Sequence, residues 1–168
     1  MKLKNRHFLR NNETKALKKE ITEKYGPHFI DSLFPPNAKI EIAELEELFT
    51  VYIINGITML IRIEKDLIPS LKALIDNKLD LKQITVDSGA IKFILNGADV
   101  MRPGITSFDD NIAKNDYVKI TEESCQHPIA IGMALLTSND IKSTKTGKIV
   151  KNIHFINDKL WKLLESIH

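Results

Sequence analysis

The stretch Val86-Asp87-Ser88-Gly89-Ala90-Ile91-Lys92-Phe93-Ile94-Leu95-Asn96-Gly97-Ala98-Asp99-Val100-Met101-Arg102-Pro103-Gly104-Ile105 decides how this chain is read. Two apolar runs, Gln83 to Val86 and Ala90 to Leu95, are cut by Gly89 and Asn96-Gly97, and Pro103-Gly104 breaks the chain again. That is the punctuation of short strands. Downstream the pattern continues with Tyr117 to Ile120, Ile129 to Leu135 and a final stretch around Ile153 to Trp161, with further breaks at Pro128, Gly132 and Gly147. Short strands with turn signals about every 8–12 residues predict a small barrel or sandwich for the second half.

Upstream the periodicity differs. Asn12 reads as an N-cap, and Leu17, Ile21 and Tyr25 form one apolar stripe before Gly26-Pro27, which predicts a helix with Lys15, Lys18 and Lys19 toward solvent. A second short helix is expected from His28 to Phe34, stopped by Pro35-Pro36. From Lys39 the pattern turns β-branched: Ile40 and Ile42, then Leu48 to Ile54 and Ile57 to Ile63, with Asn55-Gly56 between the last two. That dipeptide between apolar runs is the strongest short hairpin signal, because both central residues of the tight turn need positive φ. Leu67 to Asn77 returns to helical spacing with Pro69 in its first turn. The first half is therefore α+β, and the domains are expected at 1–81 and 82–168.

Composition excludes several classes. The chain has 168 residues, 43% hydrophobic and 27% charged, with one cysteine, Cys125, so no internal disulfide framework exists. Its longest stretch free of charged residues, Ser124 to Asn139, falls short of the ~18 apolar residues that cross a bilayer. The basic N-terminus is not followed by the apolar run of a signal peptide, and a cytoplasmic protein without a membrane segment is expected. The net charge of +2 hides an uneven layout. Residues 1–24 hold eight basic side chains against three acidic ones, Glu41, Glu44, Glu46 and Glu47 then offset them, and residues 141–151 contain Lys142, Lys145, Lys148 and Lys151 with no acid. Such clusters are either phosphate-contacting surfaces or solvated faces.

The opening stretch, from Val86-Asp87-Ser88-Gly89-Ala90 through Asn96-Gly97-Ala98-Asp99-Val100-Met101-Arg102-Pro103-Gly104-Ile105, resembles the start of a PUA domain, named for pseudouridine synthases and archaeosine transglycosylases. Asn115-Asp116-Tyr117-Val118, Pro128-Ile129-Ala130-Ile131-Gly132 and Gly147-Lys148 fit the same order. Two segments are more particular: Gly89 to Leu95, and Asn152-Ile153-His154-Phe155-Ile156-Asn157-Asp158-Lys159-Leu160-Trp161 are similar to the malignant-T-cell-amplified-sequence proteins, translation factors that pair with density-regulated protein in eukaryotes. Asn115 departs from the Gly that many PUA domains carry there, and Asn also accepts a left-handed turn.

The resemblance implies an α+β pre-PUA domain followed by a mainly β PUA pseudobarrel. It implies a non-enzymatic RNA-binding protein of translation, acting on the tRNA acceptor end or small-subunit ribosomal RNA, with a protein partner on the N-terminal domain. The alternative is an RNA-specificity subunit for a separate modifying enzyme or a ribosome-biogenesis factor. Gly97-Ala98 has little side-chain bulk, so an RNA backbone approaching the main chain is weighed against a plain turn. Met101-Arg102-Pro103-Gly104 offers a thioether and a guanidinium at the edge that the family turns toward RNA. Lys92, alternating with Ile91 and Phe93 on a strand, extends that patch, and Lys145, Lys148 and Lys151 form a basic loop for phosphate contact.

Other candidates carry less. Cys125 and His127 point the same way on a strand, but two ligands make no zinc site, and no nucleophile motif or phosphate-binding glycine loop is present. No cofactor, metal or catalytic set is expected. His154 and Trp161 read as core residues, and Asp87, Asp99 and Asp158 as turn and cap residues.

Overall fold

A hairpin turn with both central residues at positive φ organises the first sheet: Asn55 at +51° and Gly56 at +82° join β3 (Phe49–Ile54) to β4 (Ile57–Ile63), as the dipeptide demands. The computed structural model describes residues 3–45 and 49–167; the side chains of Lys2, Glu46, Glu47 and Leu48, counted above in the charge clusters and a strand, lie outside the described residues. The chain divides into two units, Met1–Leu79 and Asp80–His168.

In the first unit five antiparallel strands run in the order β1-β2-β3-β4-β5, with β1 at Leu3–Phe8, β2 at Ile40–Leu45 and β5 at Asp66–Pro69. Helix α1 (Asn11–Tyr25) buries Leu17 and Ile21 of the predicted stripe, while the Tyr25 hydroxyl donates to the Leu67 carbonyl at 2.6 Å and its ring stacks on Phe29 of α2 (His28–Leu33). Asn12 is inside α1 rather than capping it. Arg10 stands at the N-cap, and the Glu13 carboxylate accepts its N–H at 2.8 Å.

Two further expectations change. The helix expected over Leu67 to Asn77 is shortened to α3 (Leu71–Ile75), because Asp66–Pro69 pairs with β4 as an edge strand that tolerates a proline. Ser70 then caps the helix, accepting the Ala73 N–H at 3.0 Å while donating to the Thr58 carbonyl at 2.6 Å. The basic N-terminal segment contains a strand that its polar sequence does not announce. β1 is held by its pairing with β2, with Arg6 bonded twice to Glu41 at 2.7 and 3.3 Å.

The second unit is a six-stranded, nearly closed sheet in the order β7-β11-β10-β9-β6-β8. Its strands are β6 (Gln83–Val86), β7 (Val100–Met101), β8 (Ile105–Phe108), β9 (Tyr117–Glu122), β10 (Pro128–Ala134) and β11 (Lys148–Phe155), with β6 and β9 parallel and the other pairs antiparallel. Ile84, Val86, Ile94, Val118, Ile120 and Val150 fill its core. Mainly β architecture after an α+β unit is the expected fold class.

The strand expected from Ala90 to Leu95 is instead helix α4 (Ser88–Ile94), capped by Asp87, whose side chain accepts the Ala90 N–H at 2.9 Å. The final segment also differs. β11 ends at Phe155, and Lys159–Glu165 forms α6 under an N-cap at Asp158. His154 is fully buried with Nδ1 2.7 Å from the Asp158 carboxylate, which agrees with a core role, and Trp161 is half-buried.

Gly132 sits inside β10 between Val118 of β9 and Asn152 of β11. A Cβ there meets Val150 Cγ1 at 2.3 Å and the Lys151 carbonyl oxygen at 2.8 Å, and the backbone contact cannot rotate away. Gly132→Ala is therefore expected to cost about 2–3 kcal/mol by overpacking, read as a shift in the urea unfolding midpoint.

Candidate nucleic-acid interface

The end of α4 sets the geometry of the opening stretch. Gly97 takes φ +88° and donates to the Ile94 carbonyl at 3.0 Å, while Ala98 donates to the Phe93 carbonyl at 2.9 Å. This is a glycine-terminated helix end of the Schellman type. The turn reading of Gly97 holds, and the expectation that Gly97 and Ala98 offer N–H groups to an RNA backbone is corrected, because both donors are bonded within the turn. Asn152 of β11 fastens the same turn, its Nδ2 donating to the carbonyls of Ile94 at 2.9 Å and Ala98 at 3.0 Å.

Beyond the turn, Asp99 accepts the Asn152 N–H at 2.8 Å and an ion pair from Lys148 at 2.6 Å. Burial, the largest single influence, pushes the Asp99 carboxyl up. The bond from Lys148, the Asn152 N–H and the charges of Lys148 and Lys151 together outweigh it and hold the group below its ordinary range. Lys148 thus pairs with this carboxylate, the charge of Lys151 also favours its ionised form, and Lys148 pairs in register with Met101 of β7. Met101 is 48% exposed.

Lys148 and Lys151 belong to β11, not to a loop as expected, so the sheet fixes where their side chains leave the backbone. Lys145 is exposed in the segment between α5 (Ser138–Ser143) and β11, while Lys142 is on α5 and pairs with Asp110 at 2.7 Å. Lys92 does not project from a sheet face opposite to Phe93, as the strand reading required. Both are exposed on α4, with the Lys92 ammonium 4.9 Å from the centre of the Phe93 ring.

Arg102 has a different employment. Its N–H donates to the Gly147 carbonyl at 2.8 Å, its Nε to the Ile141 carbonyl at 3.0 Å and its Nη1 to the Ile105 carbonyl at 3.4 Å, so much of the guanidinium braces the turn Arg102–Gly104 against its neighbours. Gly104 accepts the Asp87 N–H at 2.9 Å, and a Cβ at Gly104 is 3.2 Å from that of Ala90, so this residue lets the turn lie against α4. Pro103 is exposed beside it. These contacts bring together the Gly97-Ala98 turn, Met101 and Lys148, with Lys151 on the same strand, while Arg102 and Gly104 hold the turn that follows Met101 in place.

Cys125 and His127 lie in the turn between β9 and β10 rather than on a strand. That turn is organised by Glu122, whose carboxylate accepts from the Ser124 hydroxyl, from the Cys125 N–H at 3.1 Å and from the Cys125 thiol at 3.2 Å. The Ser124 hydroxyl and then its N–H pull the Glu122 carboxyl down to about 2. Among the described residues no cluster of three or more His, Cys, Asp or Glu is placed to hold a metal, and no helix is long and apolar enough to cross a membrane.

Two features were missed in the sequence. Phe93 is 58% exposed, although an apolar residue in an apolar run reads as core. Asp99, which reads as a turn residue, is the acceptor of the Lys148 ion pair and of the Asn152 N–H. The available signal was Asp87-Ser88 as a helix start, which places Ala90, Ile91, Ile94 and Leu95 on one face and Lys92 and Phe93 on the other.

Comparison with known proteins follows this division of the chain. Residues 82–156 match the PUA domain and residues 5–77 match a domain of unknown function, DUF1947. The chain is 32% identical to translation machinery-associated protein 20 of Schizosaccharomyces pombe over 89% of its own length and 87% of that protein. It is 29% identical to malignant T-cell-amplified sequence 2 of Homo sapiens, covering 91% and 88% of the two chains. A crystal structure of a hypothetical protein from Pyrococcus horikoshii OT3 superposes with a TM-score of 0.82 at 31% identity, covering 95% of this chain and 99% of that one. With a pre-PUA sheet, a PUA pseudobarrel in the same order and this identity along nearly the whole length, the chain belongs to the family of translation machinery-associated protein 20 and the malignant-T-cell-amplified-sequence proteins.

Proposed function

We propose that this protein is a non-enzymatic, cytoplasmic RNA-binding factor of translation. Its PUA domain, residues 82–168, binds the acceptor end of tRNA or ribosomal RNA of the small subunit during initiation or recycling. The domain at 1–81 docks on the ribosome or a partner protein. The observation that carries this reading is the Lys148–Asp99 ion pair beside exposed Met101, with Lys151 exposed on the same strand and Asn152 tying that strand to the Gly97 turn. Ammonium groups anchored by a strand present positive charge at set positions without a side-chain pocket, which suits contact with phosphates rather than with a small substrate. Lys92 and Lys145 widen the face. The Lys148–Asp99 pair is exposed on its lysine side, so a phosphate oxygen can join the ammonium without breaking a buried contact.

Titration of a labelled tRNA, and of purified small subunits, across a salt series tests the reading. If about four phosphates are contacted, log affinity falls against log salt with a slope of about −3, at ~0.7 per phosphate for single strands. A flat dependence, or no binding to either RNA, contradicts it.

A further inference from the structure

We infer that Phe93 is a stacking platform for one unpaired base, so that the RNA held at this face presents an unpaired nucleotide there rather than uninterrupted duplex. The inference rests on the RNA-binding reading and specifies the class of RNA. Three observations carry it. The ring is 58% exposed, although Ile91, Ile94 and Leu95 of the same segment pack on or into the core. The Lys92 ammonium lies 4.9 Å from the ring centre, so a cation accompanies the aromatic surface. The third is rigidity: the carbonyl of Phe93 accepts the N–H of Ala98 at 2.9 Å and of Asn96 at 3.1 Å, and Asn152 ties the neighbouring Ile94 carbonyl to β11 at 2.9 Å.

A scattered exposed aromatic is ordinary on a protein surface. This one is mounted on a hydrogen-bonded helix end in the same structure as the Lys148–Lys151 cluster, because the turn it anchors leads through Ala98 directly to Asp99. In an A-form duplex the bases are stacked on each other and shielded, so an aromatic side chain meets only backbone and groove edges. A splayed base offers a free π-face, and base–aromatic stacking is tolerant of sequence. Lys92 beside the ring supplies phosphate attraction, and the ring supplies the contact that a duplex cannot match.

Two RNAs separate the possibilities: a blunt duplex, and the same duplex with a single-stranded 3′ tail carrying 2-aminopurine, whose fluorescence is quenched on stacking. The wild-type protein is expected to bind the tailed RNA more tightly and to quench the probe. Phe93→Ala is expected to weaken the tailed RNA about tenfold and abolish quenching, leave the blunt duplex unchanged, and be rescued by Phe93→Trp. Since the ring is exposed, the variant's unfolding midpoint should match wild type. Equal binding of the tailed RNA by Phe93→Ala and wild type, or equal losses on both RNAs, overturns the platform while leaving salt-dependent RNA binding intact. Failure of wild type to bind either RNA overturns the RNA-binding reading together with it.

Discussion

Reversing both charges in Lys148→Glu/Lys151→Glu lowers RNA affinity about a hundredfold near 0.1 M salt and flattens the salt dependence by about 1.4 in slope, at ~0.7 for each lost phosphate contact. The expectation follows from placement. Both residues are exposed on β11, both favour the ionised carboxyl of Asp99, and the strand holds Lys148 beside Met101. Reversal breaks the Lys148–Asp99 ion pair and puts two negative charges where two positive ones favoured the ionised Asp99, which turns the centre of the face negative. The comparison to make is with Lys142→Glu, since the Lys142 ammonium already pairs with Asp110. Filter binding or fluorescence anisotropy with tRNA reads both variants. If the double variant binds like wild type, or if Lys142→Glu loses as much, Lys148 and Lys151 are not the contact.

Asp158→Ala destabilises the PUA unit by about 3 kcal/mol, combining roughly 1 for a lost N-cap with about 1–3 for a buried partner left unpaired. One carboxylate does three jobs there. It accepts the Trp161 N–H at 2.6 Å at the start of α6, the Phe155 N–H at 3.0 Å, and lies 2.7 Å from Nδ1 of His154, which is fully buried. Without it the His154 ring keeps no hydrogen-bond partner among the described residues, since its Nε2 has none there.

The pH dependence has a definite sign. Burial pushes the Asp158 carboxyl up, but the bond to His154, its charge and the two backbone N–H groups outweigh burial, so the folded-state pKa lies below the ordinary value. A lowered carboxyl contributes stability that is complete above its unfolded pKa, about 4, and is lost as pH falls through the folded one. The gap between wild type and Asp158→Ala in urea unfolding should therefore be widest at neutral pH and shrink below about pH 4. A gap that persists unchanged at low pH shows that the loss is only geometric.

The turns were the most legible part of the sequence. Asn55-Gly56 fixed a hairpin because few residues accept positive φ, and Gly26-Pro27 ended α1 for the same reason. Elements whose form depends on a distant partner were not legible. The run from Ala90 to Leu95 is apolar enough for a buried strand, and only the Asp87 cap and the packing of Ile94 into the barrel make it a helix. β1 carries Lys4, Asn5, Arg6 and His7 in succession and exists because β2 lies beside it.

The candidate site divides in the same way. Lysine positions can be read from the chain, but the pairing of Lys148 with Asp99 depends on the register of β11 against β7, which no local pattern states. Arg102 shows the converse. A guanidinium in an exposed-looking loop is a natural candidate for phosphate, yet three backbone carbonyls of the fold accept from this residue.

Ultraviolet crosslinking of the full-length protein to RNA in cells, with mass spectrometry of the nucleotide-bearing peptides and sequencing of the attached RNA, addresses the proposed interface most directly. The expected adducts fall on residues 92–102 and 145–151, attached to tRNA acceptor ends or small-subunit ribosomal RNA. Adducts confined to residues outside these two segments, for example on the turn between β9 and β10, or a protein that carries no RNA, contradict it.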